Sequence, residues 1–221
     1  MSYIIKRASN IKLEDSWNGT VWGSANVIDI AIFRDRSSDH HPKTQCKLLY
    51  NEQGIYGLFQ VEDQYVRSVA TKFQDSVCRD SCVEFFVEPA GGKGYLNFEF
   101  NCGGNMLVYQ VIDASRGKNG FADYYILTED DVDGMQQFTT MPPVVEPEIT
   151  EPTTWRRGFF IPLSVFAKTT GLQSTELSGQ IWRANLYKCA DKTSHPHWAS
   201  WKPITATNFH LPECFGEIIF K

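Results

Sequence analysis

Between Ser194 and Trp201 the chain reads SHPHWASW, two imidazoles and two indoles within a few residues. Imidazole nitrogens bind metals or carry protons, and an indole offers a flat face for stacking. His195 and His197 flank Pro196, so an extended backbone would aim both rings to one side. No carboxylate or thiolate stands beside them at a metal-ligand spacing. Glu84 and Glu99 are of the type that works as acid and base on a glycosidic bond, but their separation cannot be read from spacing. Asp130, Asp131 and Asp133 could hold a calcium ion, yet TEDDVDG lacks the register of a helix–loop–helix calcium loop and reads equally as a solvated acidic loop. Cysteines stand at 46, 78, 82, 102, 189 and 214; Cys78 and Cys82 are four apart, with no second pair to complete a zinc site, so they read as free core thiols. No nucleophile elbow, Walker loop, zincin helix or dinucleotide fingerprint is present. No catalytic residue and no cofactor are therefore expected, with a structural calcium ion the one metal to consider.

The elements that must position these groups are strands. VIDIAIF (27–33), TQCKLLY (44–50), GIYGLFQVED (54–63), SCVEFFVEP (81–89), GYLNFEFNCG (94–103) and NMLVYQVI (105–112) alternate or run apolar between turn formers. WRRGFFIP (155–162), GQIWRANLYKC (179–189) and CFGEIIF (214–220) follow, and LSVFAKTTG (163–171) alone looks helical. With 42% hydrophobic and 14% aromatic residues, 16 Gly and 10 Pro, the chain is expected to form one antiparallel β-sandwich of jelly-roll type over 1–221 with a short helix. The acidic, Pro-rich stretch 128–152 reads as a surface excursion.

A net charge of −5 without a dense Lys/Arg cluster argues against a nucleic-acid partner, and no long apolar run suggests a membrane span. MSYIIKRASNIKLEDSW has no apolar leader; the expected compartment is the cytoplasm if Met1 is the native start, and otherwise the periplasm or the outside.

Strand parity sorts the faces. Leu96, Phe98, Phe100 and Cys102 fall on one side of their strand, leaving Tyr95, Asn97, Glu99 and Asn101 on the other. Trp182, Ala184 and Leu186 likewise oppose Arg183, Asn185 and Tyr187, and Val83, Phe85 and Val87 oppose Glu84, Phe86 and Glu88. A wetted outer face accounts for each polar row alone. Three rows rich in Asn, Glu and Tyr also match what sugar hydroxyls require, with loop aromatics for the C–H faces of the ring.

These residues carry a resemblance. TQCKLLYNEQGIYGLFQVED, DSCVEFFVEP, WRRGFFIP with its short helix, WASW and PECFGEIIF are similar, in order and spacing, to motifs of the family 9 carbohydrate-binding modules. That family is related to haem-binding DOMON-type sandwiches, and the likeness runs from about Trp17 to Phe220. It implies a non-catalytic saccharide-binding domain, associated with glycoside hydrolases in polysaccharide breakdown. It also implies a site in which Phe209 stacks on the sugar while Glu84, Asn97, Glu99, Asn185 and Tyr187 bind hydroxyls, with Trp198 and His197 at the rim. The family's partner tryptophan is replaced near Cys78, and its arginine appears as Glu99. The DOMON alternative would take Met106 with His195, His197 or His210 as haem ligands, and a sugar-active enzyme would use Glu84 and Glu99. Trp201 is expected in the core.

Overall fold

The alternating segments are strands in the computed structural model, which describes residues 2–14, 16–117 and 120–221. In chain order they are β1 (Tyr3–Arg7), β2 (Ile28–Asp29), β3 (Ile32–Phe33), β4 (Lys43–Tyr50), β5 (Gly54–Asp63) and β6 (Val66–Ser68). Next come β7 (Cys82–Glu88), β8 (Tyr95–Asn101), β9 (Met106–Gly117), β10 (Gly120–Ile126), β11 (Gln136–Thr139) and β12 (Val145–Ile149). β13 (Thr153–Pro162), the helix α1 (Leu163–Thr170), β14 (Ile181–Cys189), β15 (Trp198–Ser200) and β16 (Gly216–Phe220) complete the order.

Two layers result. One runs β10-β9-β8-β7-β14-β16-β1, with β15 on β14 and β3 on β15; the other runs β1-β4-β5-β13-β11, with β2 on β4. β1 belongs to both, because Tyr3–Ile5 pair with β16 and Lys6–Arg7 pair with β4. Both of its ladders are parallel, whereas the other ladders among the described residues are antiparallel. The expected all-β sandwich with one short helix is the fold observed.

Inward side chains of the two sheets interdigitate. Phe159 of β13 stacks with Phe85 of β7 at 5.5 Å and with Phe100 of β8 at 5.2 Å. Gly57 on β5 makes room for that ring, since a Cβ there would lie 2.1 Å from it. α1 begins after Pro162, ends at Gly171 with φ 74°, and buries Phe166 against Trp182 at 5.1 Å. Arg157 is fully buried at one end of this space, donating from Nε to Asn101 O and from Nη1 to Phe138 O.

Several elements depart from the sequence reading. The segment 128–152 contains β11, paired with β13, and β12, paired with β6. QQFT (136–139) is an edge strand, where one side needs no apolar partner, so its residues do not alternate. β1 and β10 also lie outside the strands expected from the sequence: β1 is short, and β10 is half-exposed or exposed along its length, whereas β15 falls on the WASW motif.

Candidate functional site: a cavity on the outer face of the larger sheet

On the face of β7, β8 and β14 turned away from the second sheet, cross-strand register builds the floor of a cavity of about 230 Å3. Tyr187 stands opposite Glu84, and Glu84 opposite Glu99, so the two carboxyls are neighbours on adjoining strands. Cys189 and Cys82 form the next row, and Asn185, Phe86 and Asn97 the row on the other side. Parity, as read from the sequence, therefore places these side chains on one face.

That face is not wet. Phe86, Tyr95, Tyr187, Phe209 and Phe215 form a second apolar cluster outside the sandwich core, with the 201–215 loop laid over the sheet. Glu84 is 3% exposed and Glu99 is 7% exposed, both opening only into the cavity.

The walls come from two segments tied together by backbone bonds. Arg34 N donates to Trp198 O, Trp198 N to Ser37 Oγ, and Ser38 N to Pro196 O. This extended run sets Arg34 and Arg36 toward the cavity, one step of alternation apart. The Arg36 guanidinium lies 4.4 Å from the ring of Trp198, whose Nε1 donates to Asp191 Oδ1 at 2.7 Å. Arg34 lies 4.3 Å from the Phe209 ring and donates from Nη1 to Thr207 O. Phe209 in turn stacks on Tyr187 at 4.1 Å and 15°, and the Tyr187 hydroxyl donates to Phe209 O at 2.9 Å.

Three polar atoms at this site are buried without any hydrogen-bond partner among the described residues: Nε and Nη2 of Arg34 and Oε2 of Glu84. Glu84 Oε1 accepts from Cys189 Sγ at 3.0 Å, and Glu99 Oε1 accepts from Asn97 Nδ2 at 2.8 Å. Burial, and then repulsion from Glu99, raises the Glu84 carboxyl well above the usual range. Burial raises Glu99 to about 7, against the hydrogen bond from Asn97. Burial and the nearby Arg36 lower Arg34. Each unpaired buried group carries a desolvation cost of about 1–3 kcal/mol that a bound polar ligand would relieve.

The structure divides the expected site residues. Glu84, Glu99, Trp198 and Phe209 line the one cavity. Asn97, Asn185 and Tyr187 are 0% exposed, which corrects their expected role as direct hydroxyl readers. Asn185 holds the loop instead, its Oδ1 accepting from Lys202 N and its Nδ2 donating to Lys202 O. Asn97 links Tyr109 N to Glu99. Phe209 is a second correction: with Tyr187 stacked on its ring and Arg34 over it, it has no free face for a sugar and serves to hold Arg34. Arg34, Arg36 and Asp191 were missed. Their only signal was the period-2 spacing of arginines in FRDR, which is mute until β3 is known to border Trp198.

SHPHWASW is thereby taken apart. His197, fully buried, accepts from Lys188 Nζ at Nε2 (2.8 Å) and donates from Nδ1 to His195 O. Lys188 Nζ also stands 3.7 Å from Asp63, which meets His40 at 2.7 Å. An internal ammonium thus occupies the centre of this His and Asp group, and burial with the Lys188 charge pushes His197 down to about 3. His197 is not at the cavity rim. His195 stacks on Tyr65 at 3.6 Å, and Trp201 packs partly buried against the core. His210 bonds Tyr95 at 2.9 Å, while Met106 lies in the inter-sheet core. The carboxylate of Asp131 is engaged by Thr128, Tyr125 and Lys168.

Comparison with known proteins agrees with this architecture. A protein from Bacteroides uniformis ATCC 8492, bearing a provisional carbohydrate-binding designation, superposes with a TM-score of 0.83 at 24% identity, over 100% of this chain and 99% of that one. A family 9 carbohydrate-binding module from Caldicellulosiruptor kristjanssonii, solved with glucose, superposes at 0.63 with 14% identity over 100% and 96%. Its cellotriose complex gives 0.63 with 15% identity over 100% and 94%. No curated protein matches the chain. The model of carbohydrate-binding family 9 matches residues 21–220. By that match, which spans nearly all of its length, the chain belongs to carbohydrate-binding family 9.

Proposed function

We propose that this domain is a non-catalytic binder of a single sugar ring or chain end, held in the cavity between Trp198 and the Glu84–Glu99 floor. The observation that carries the reading is that Arg34 and Glu84, each with buried polar atoms that lack a partner among the described residues, line one cavity. Sugar hydroxyls need donors and acceptors together, and a ring's C–H face packs on an indole. A volume of about 230 Å3 lies below the usual range for larger small-molecule pockets, which suits one ring. An adjoining cavity of about 380 Å3 shares Arg34, Arg36 and Thr207, giving room for a second. The solved family 9 modules that hold glucose and cellotriose supply the same class of ligand.

The arrangement of the carboxyls supports binding over catalysis. Glu84 and Glu99 sit side by side on one floor, and both are raised toward the protonated form. Glycoside hydrolysis needs an ionised carboxylate facing an acid across the bond to be cleaved. A shallow site with few contacts implies affinities of roughly micromolar to millimolar. In the cell such a domain would serve by holding a glycoside hydrolase near its substrate.

Calorimetric titration with mono- and oligosaccharides at millimolar concentration tests the reading. Saturable binding is expected, weakened about tenfold or more by Trp198→Ala and by Glu84→Ala. Failure of all sugars to bind overturns it. Hydrolysis of aryl glycosides that disappears in Glu84→Gln overturns the non-catalytic part.

A further inference from the structure

Arg34 presents an unusual combination of charge and geometry. Its Nε and Nη2 lie along one edge of the guanidinium, the edge that makes two parallel bonds to a planar carboxylate. Both atoms are buried and unpartnered among the described residues, while Nη1 is anchored on Thr207 O and the group is held over Phe209. No described carboxylate comes within 4.0 Å of Arg34 or Arg36, although ion pairs of that length form elsewhere in the fold. A desolvated charge is ordinarily paired.

The acids nearby do not supply the missing partner. Asp191 Oδ1 accepts from Trp198, and Glu99 Oε1 accepts from Asn97. Glu84 Oε2 is itself unpartnered, and burial raises the Glu84 carboxyl, which disfavours the charge that would answer the guanidinium. The Nε–Nη2 edge of Arg34 is therefore answered by no acid of the described fold.

We propose that the saccharide this cavity selects carries a carboxylate, a uronic acid ring whose acid group seats on the Nε–Nη2 edge of Arg34 beside Glu84. This deepens, and rests on, the proposal that the cavity binds sugar. A neutral hexose would leave the Nε–Nη2 edge without an ionic partner in contact; a uronate supplies the charge and the planar two-oxygen geometry at once.

The experiment compares matched pairs by calorimetry at pH 7 and moderate ionic strength: glucuronate against glucose, and galacturonate against galactose. At least one uronate is expected to bind about tenfold or more tightly than its neutral partner. Arg34→Gln should erase that difference. Arg34→Lys, which keeps the charge but loses the two-pronged edge, should retain only part of it, and thermal unfolding of both variants confirms that they fold. Neutral sugars binding as tightly as their uronates, or a uronate preference that survives Arg34→Gln, overturns the inference while leaving sugar binding intact. Binding of neither class overturns both.

Discussion

Replacing Glu99 by glutamine should stabilise the protein at alkaline pH and do little at acid pH. Glu99 is 7% exposed, faces Glu84 across the strand pair, and has its carboxyl raised from the ordinary 4.5 to about 7. A carboxyl raised in the fold binds its proton more tightly there than in the unfolded chain. Its stabilising contribution is thus fully present below pH 4.5 and is lost as pH rises through 7. The displacement corresponds to about 3 kcal/mol lost by pH 8 and less than about 1 kcal/mol at pH 5. Glu99→Gln removes the charge while its side-chain carbonyl can still accept from Asn97 Nδ2, the bond that Glu99 makes at 2.8 Å. Relief of the repulsion that raises Glu84 adds to the gain in the same direction. Urea unfolding of both proteins at pH 5 and pH 8 checks this; taking the difference between variant and wild type removes contributions common to both, such as those of the histidines. The expected result is a gain about 2 kcal/mol larger at pH 8 than at pH 5. Equal effects at the two pH values, or a loss confined to pH 8, would refute the account of two buried carboxyls competing for protons.

Other outcomes follow from the same geometry. His197 and His210 are each lowered to about 3 by burial, so the unfolded chain takes up protons below 6.5 that the fold does not. Stability from each is lost as pH falls, about 2 kcal/mol by pH 5, and His210→Gln should flatten the acid side of the stability curve measured by denaturant. Lys188→Met leaves Asp63 and His197 without their buried cation and should cost about 3–5 kcal/mol, seen as a lowered urea midpoint. Gly57→Ala drives a Cβ to 2.1 Å from the Phe159 ring and should cost about 1–3 kcal/mol in the same assay. Tyr187→Phe frees Phe209 O and loosens the support of Arg34; a loss of about 1 kcal/mol and weaker sugar binding are expected, measured by unfolding and titration.

How much of this was legible in the linear chain depends on the range of the forces involved. Alternation is local, so the faces of β7, β8 and β14 could be sorted correctly: Val83, Phe85, Leu96, Phe98 and Leu186 point into the sandwich, and Glu84, Asn97, Glu99 and Tyr187 away from it. Alternation does not say what lies above a face. Tyr187 and Asn185 read as wet because polar atoms on a strand usually are, whereas a loop more than ten residues downstream closes over them. The short strands β1 and β11 escaped because pairing with distant neighbours, rather than their own pattern, makes them strands.

By itself, then, the sequence determined an all-β sandwich, the side of each long strand that faces the core, and the presence of Glu84, Glu99, Trp198 and Phe209 among the residues to watch. Only the tertiary structure decided which of them meet a cavity, that Phe209 supports an arginine instead of a sugar, and that Lys188 and Asp63 join His197 of SHPHWASW in a buried polar cluster. The physical reason is that burial and pairing of polar groups depend on segments brought together across the whole chain, so an unpartnered Arg34 edge has no signature in the residues next to it.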